Sequence, residues 1–166
     1  MLVALTSTLV IRSNIEKITE VWSPSLEYLQ DLETMTAKYR IKQYQHLVSS
    51  DTAVMNSCEE EIKKLESQIQ DTDAKLDAIM SANSKAQKGQ ADYEAASTGW
   101  EKYRAASDEI LKLSREGKQQ EASKRMTGEV YEEYKAFAEK LTILRDEFQA
   151  ELDRRSEEHT SELQSR

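Results

Sequence analysis

The sequence predicts an all-α protein, an antiparallel up-down-up-down four-helix bundle, and three observations carry that prediction. Apolar residues recur at steps of three and four along four long segments. One proline and four glycines in 166 residues leave too few turn signals for an all-β fold. Short stretches of capping or small residues separate the four segments. At 38% hydrophobic and 33% charged residues, the chain can bury a single core and stay well solvated.

The first helix is expected over about 12–49, with Ile11, Ile15, Ile18, Trp22, Leu26, Leu29 and Leu32 on one face. Ser23 reads as a cap and Pro24 as a first helical position, which predicts a kink there. Beyond Leu32 the same stripe turns polar, through Thr36, Tyr39, Arg40, Gln43 and His46 to Leu47. Ser49, Ser50 and Asp51 then suit a helix-to-helix junction.

The second helix, about 52–81, carries the most regular heptad pattern: Met55, Cys58, Ile62, Leu65, Ile69, Thr72, Leu76 and Ile79. Ser81 to Gly89 lacks large apolar residues and reads as a connection. The third, about 89–116, presents Tyr93, Ala96, Trp100, Tyr103, Ser107 and Ile110 and stops at Gly117, which suits a left-handed C-terminal cap. The fourth, about 119–154, presents Thr127, Val130, Tyr134, Phe137, Leu141, Leu144, Phe148 and Leu152. Short connections force neighbours antiparallel, so both ends of the bundle face the same way. Helices of this length make a rod ~45 to 60 Å long.

Two ends stand apart from this pattern. Met1 to Ile11 (MLVALTSTLVI) is uncharged and mostly apolar but shorter than the ~20 residues a bilayer span needs. No basic segment precedes it and no small-residue cleavage site follows it, so it is read as the outer end of a truncated transmembrane helix rather than a signal peptide. Arg155 to Ser165 (RSEEHTSELQS) looks like the translation of a common sequencing-adapter oligonucleotide, and 155–166 is set aside as a non-native tail.

The net charge of −8, with basic residues interspersed among acids, argues against a nucleic-acid partner. Cys58 is the single cysteine and forms no intrachain disulfide; it reads as a small core residue. His46 has no second histidine or cysteine at ligand spacing, so no metal site is expected. The sequence shows no Glu-x-x-His, no Gly-rich phosphate loop and no nucleophile-histidine pair. The chain is therefore not read as an enzyme, and no cofactor is expected.

The polar part of the first stripe suggests a site. If the junctions at Ser50/Asp51 and Gly117/Lys118 form one end of the rod, Arg40 lies ~15 Å below it. Tyr39, Arg40, Gln43, Tyr103, Arg104, Thr127, Tyr131 and Tyr134 then share one depth. An arginine fork matches a carboxylate, and tyrosine and threonine hydroxyls can orient it, so the cluster suits a small organic acid or amino acid. The competing reading places both arginines on solvated flanks.

The spacing of Trp100, Tyr103, Ile110, Leu113, Gly117, Ala122, Tyr134, Leu141 and Leu144 resembles the second helical pair in the sensor domain of bacterial methyl-accepting chemotaxis proteins. The first pair is similar too, with an apolar start, a basal Pro24, HLVSSD at the turn and Glu59, Glu60, Glu61 and Ile62 opening the next helix. The resemblance covers about Val10 to Arg154. It implies an extracytoplasmic ligand-sensing domain of an inner-membrane chemoreceptor, in the periplasm, joined to the membrane through flanking helices. It also implies a homodimer, a ligand or a periplasmic binding protein as partner, and a piston-like helix displacement as output. In related aspartate receptors several first-helix arginines grip the ligand, whereas this chain offers only Arg40 there. Val21, Met35 and Ile41 are candidates for the dimer contact. The same fold also serves histidine kinases and cyclic-dinucleotide enzymes, and a soluble structural or adaptor bundle is the alternative from another class.

Overall fold

The computed structural model describes residue 13 and residues 15–83 and 89–164. The apolar segment Met1–Ile11 and most of the connection between the second and third helices lie outside the described residues. A π-helical segment, Ile18–Trp22, leads into α1 (Ser23–Val48). There follow α2 (Thr52–Ala82), α3 (Gln90–Arg115), a short α4 (Gln119–Thr127) and α5 (Glu129–Gln164). No strand occurs among the described residues. The arrangement is the expected antiparallel four-helix bundle, with α4 and α5 together forming its fourth arm.

Pro24 explains the π segment. Proline has no N–H to offer the carbonyl four residues back, and its ring crowds that carbonyl. The helix widens by one residue instead of kinking to a fresh start, and Ser23 N–H bonds to Ile18 O, five residues back. Ser23 makes no side-chain cap, contrary to the sequence expectation. The extra residue turns both Val21 and Trp22 inward, 7% and 4% exposed. Trp22 meets Phe148 edge to face at 5.3 Å between ring centroids. Val21 is thereby spent on the core and is not a surface residue for dimer contact.

Capping follows the sequence more closely at the far end. Asp51 accepts a bond from Ala53 N–H at 2.7 Å and starts α2. Gly117, at φ 75°, closes α3 while Lys118 N–H reaches Leu113 O at 2.9 Å, a left-handed cap.

The fourth arm, expected to run unbroken over 119–154, divides at Gly128. A Cβ at this position would sit 3.0 Å from Lys124 O, so glycine permits the turn. Past the divide, α5 continues through Gln164, across the expected boundary at Arg154.

Packing is uneven around the bundle. α1 lies along α2, and α3 lies along α5, as two tight hairpins. Between α3 and α5 the approach is closest at Gly99, where a Cβ would stand 3.3 Å from Phe137 Cβ. α1 bridges the hairpins through contacts with both α5 and α3, whereas α2 and α3 scarcely approach one another. Leu29, Leu76, Ile110 and Leu144 are fully buried at the joint. Each such side chain contributes about 1.5–3 kcal/mol by leaving water. Among the described residues no helix is long and apolar enough to cross a membrane.

Candidate functional site

Above Leu32, the inward stripe of α1 carries polar side chains into the core. Thr36 satisfies itself by donating to Leu32 O at 2.8 Å. Tyr39, Gln43 and His46 are each 0% exposed and need partners from other helices.

Arg40 sits beside this stripe, half-buried, inside a box of rings. Its Cζ lies 5.1 Å from the centroid of Tyr44, 5.1 Å from Tyr131 and 4.7 Å from Tyr134. These are cation–π distances. Nη2 also donates to Tyr44 Oη at 2.9 Å. Every other described arginine has a carboxylate within salt-bridge reach, either on its own helix or on a neighbour. Arg40 has none among the described residues. Its Nη1 is buried without an acceptor, and so is Nε2 of neighbouring Gln43.

Tyr103 closes the inner side by donating to Gln43 Oε1 at 2.5 Å. Burial pushes the Tyr103 hydroxyl up to about 12, with the Arg40 guanidinium pulling the other way. Burial raises Tyr134 as well, again opposed by Arg40. Tyr39 stacks edgewise on Trp100 at 5.1 Å and donates to Glu66 Oε1 at 3.1 Å. Burial first, then the Glu66 charge, holds its hydroxyl far above the ordinary tyrosine range. The result is a cationic, donor-rich recess with aromatic walls. Its unmatched groups are donors, so its chemical complement is an anion or another acceptor.

Of the eight residues singled out from the sequence, Arg40, Gln43, Tyr103, Tyr131 and Tyr134 converge, with Tyr39 flanking them. Arg104 and Thr127 do not join. Arg104 forks onto Glu101 of its own helix at 2.9 Å and faces α2. Thr127 is exposed at the end of α4 and donates to Ser123 O at 2.9 Å. Equal depth along the rod said nothing about direction around it. Tyr44 was missed, although it stands one turn from Arg40, the spacing at which helix side chains meet.

A second polar cluster seals the distal end. His46 Nδ1 lies 3.0 Å from Ser114 Oγ and Nε2 lies 2.9 Å from Glu59 Oε1. Arg115 Nε donates to the same carboxylate oxygen at 2.6 Å. Arg115 is the main reason that the Glu59 carboxyl is held below its ordinary range, with His46 adding to it and burial opposing. Ser114 is only 1% exposed, so its hydroxyl serves the fold rather than an incoming molecule. Nearby Cys58 is buried, and burial raises its thiol. No group of His, Cys, Asp and Glu among the described residues is placed to hold a metal ion.

Comparison with curated proteins finds no match. A family model described as a four helix bundle sensory module for signal transduction matches residues 2–152, which takes in α1 to α4 and α5 as far as Leu152. With the bundle geometry and this match together, the chain belongs to the four-helix-bundle sensory modules for signal transduction.

Proposed function

We propose that this sensory module is the extracytoplasmic ligand-sensing domain of a bacterial transmembrane chemoreceptor, and that it binds a small organic acid or amino acid by its carboxylate at Arg40. One observation carries the reading: Arg40 is the described arginine left without a carboxylate, and its Nη1 and Gln43 Nε2 are buried donors lacking acceptors. A buried donor without an acceptor costs about 1–3 kcal/mol, which a bound carboxylate would recover. Tyr131, 43% exposed, stands between the recess and solvent.

The remainder of the proposal rests on the family and the resemblance. The module sits in the periplasm, with flanking helices in the inner membrane, and works as a homodimer. Ile41 on α1, 54% exposed, is available for that contact, whereas Met35 packs against the core. Ligand binding displaces the fourth arm along its axis toward the membrane. A periplasmic binding protein as partner would find exposed apolar residues at the distal turn, where Val48 and Val54 are 82% and 44% exposed. The output is chemotaxis, with a histidine kinase or cyclic-dinucleotide enzyme as the alternative.

The test is calorimetry of the chain with malate, succinate, citrate, aspartate and serine, repeated on Arg40→Ala and Arg104→Ala. Binding lost in Arg40→Ala and kept in Arg104→Ala supports the site. Absence of binding by all five compounds, or equal affinity in Arg40→Ala, overturns it.

A further inference from the structure

The loose side of the bundle, between α2 and α3, holds a groove of about 540 Å³. Ile69 and Trp100, both largely buried, give its floor a narrow apolar strip, and a separate void of about 20 Å³ is lined by Ile69, Trp100, Phe137 and Leu141. Asp73 and Ser97 border both spaces. We propose that this groove is a second ligand site, one that takes a primary ammonium compound with its ammonium group on Asp73. The site is separate from the Arg40 recess and does not depend on that reading.

Asp73 is half-buried and has no cation within salt-bridge reach among the described residues. Tyr93 Oη donates to its Oδ1 at 3.0 Å, and Ser97 Oγ donates to its Oδ2 at 3.4 Å. Those two bonds orient the carboxylate but leave acceptor capacity on both oxygens. The charged surroundings add no compensation at this end. Burial raises the Asp73 carboxyl, the bonds from Tyr93 and Ser97 oppose it, and the negative charges of Asp77 on the same helix and Glu101 on α3 add to the rise. Glu66, two turns away on the same face, accepts from Tyr39 and has no cation within salt-bridge reach among the described residues, although the Arg104 charge acts on it from across the groove.

The opposite end of the groove differs. Lys63 and Arg104 line it, and Arg104 is already engaged by Glu101. A molecule lying along the groove therefore meets negative charge at Asp73, a narrow apolar strip at Trp100 and Ile69, and mixed charge at Lys63 and Arg104. A primary ammonium suits the Asp73 end because it brings the missing charge and three N–H donors in a compact group. The carbon body fits the Trp100 strip. Its far end is either a second ammonium facing Glu66 or a carboxylate facing Lys63, and the choice of probes separates these.

The experiment is calorimetry and thermal shift with butylamine, putrescine and 4-aminobutyrate. At least one is expected to bind, and the ranking among them identifies the far-end group. Asp73→Asn keeps an acceptor oxygen for Tyr93 and offers Ser97 Oγ an N–H to accept from instead, yet is expected to weaken binding by about tenfold or more, as for loss of a charged hydrogen bond. Gln70→Trp, at an exposed position on the groove, is expected to block entry without touching Asp73. Binding should also tighten as pH rises through the titration of Asp73, which burial displaces upward from the ordinary aspartate range. Arg40→Ala should leave amine affinity unchanged even where it abolishes organic-acid binding. Failure of all three amines to bind, or equal affinity in Asp73→Asn and wild type, overturns the proposal.

Discussion

His46 Nε2 lies 2.9 Å from Glu59 Oε1 across the α1–α2 interface, and the histidine making this bond is 0% exposed. With Ser114 on its other nitrogen, the ring ties three helices together at the distal end. Leucine at 46 would keep much of the volume but remove the ring's bonds to Ser114 and Glu59, leaving the buried Ser114 hydroxyl only its longer contact with the residue 46 carbonyl, 3.4 Å. His46→Leu is expected to cost about 1–3 kcal/mol, read from urea denaturation. A change within ±0.5 kcal/mol would show that the ring acts only as filler.

Acid stability should depend on the same cluster. The Glu59 carboxyl titrates below its unfolded value, so near pH 4 the unfolded chain binds the proton more readily than the folded one. Its contribution is present above the unfolded value of about 4.3 and is lost as pH falls through the lower, folded one. Glu59→Gln should therefore lower Tm at pH 7 and flatten the decline in stability between neutral pH and acid. A thermal melt series from pH 7 down to 3 measures both.

Asp73 has the reverse sign. Its carboxyl is raised in the fold, chiefly by burial, so the folded chain holds the proton longer than the unfolded one. Stability is favoured by this group below the unfolded value and diminishes as pH rises through the window above it. Asp73→Asn retains the acceptor for Tyr93, replaces the Ser97 acceptor by an N–H that the serine hydroxyl can accept from, and removes the half-buried charge. The variant is expected to melt higher than wild type at pH 7, with the difference shrinking toward pH 4. A lower Tm at pH 7 would contradict this account.

Gly99 sets the spacing of the second hairpin. With a Cβ already 3.3 Å from Phe137 Cβ, a larger side chain must drive α3 away from α5. Gly99→Leu is expected to destabilise by about 1–3 kcal/mol, despite leucine's better helix propensity. Gly99→Ala should be nearly neutral, because alanine's helix propensity offsets the tighter contact. Equal stability of the leucine variant would mean that the hairpin yields freely there.

Much of this molecule was legible in the order of its residues. The three-and-four spacing located all four arms, since a helix buries a stripe and Leu29, Ile69, Ile110 and Leu144 each lie on one. Asp51 and Gly117 marked ends because a cap needs a short acceptor or a left-handed residue. Pro24 was legible as a disturbance but not as a π segment, because the choice between kink and widening depends on Trp22 finding Phe148. The break at Gly128 was hidden, because the apolar rhythm runs across it from Met126 to Val130. Depth along the rod located Arg40, Gln43, Tyr103 and Tyr134 together. Rotation about each axis did not follow from spacing alone, and so Arg104 turned out to face α2. The groove beside it was invisible, since a gap between α2 and α3 is a property of how two hairpins lean and not of either sequence stripe.

The interruption at Gly128 also decides where the fourth arm can carry load. Tyr131 and Tyr134, which hold the Arg40 guanidinium, both lie on α5, and α4 lies on the other side of the break. A force applied at Arg40 therefore enters an uninterrupted strut that begins at Glu129, while α4 is free to stay with the distal cap. The fourth arm is thus jointed one turn above the residues that touch Arg40.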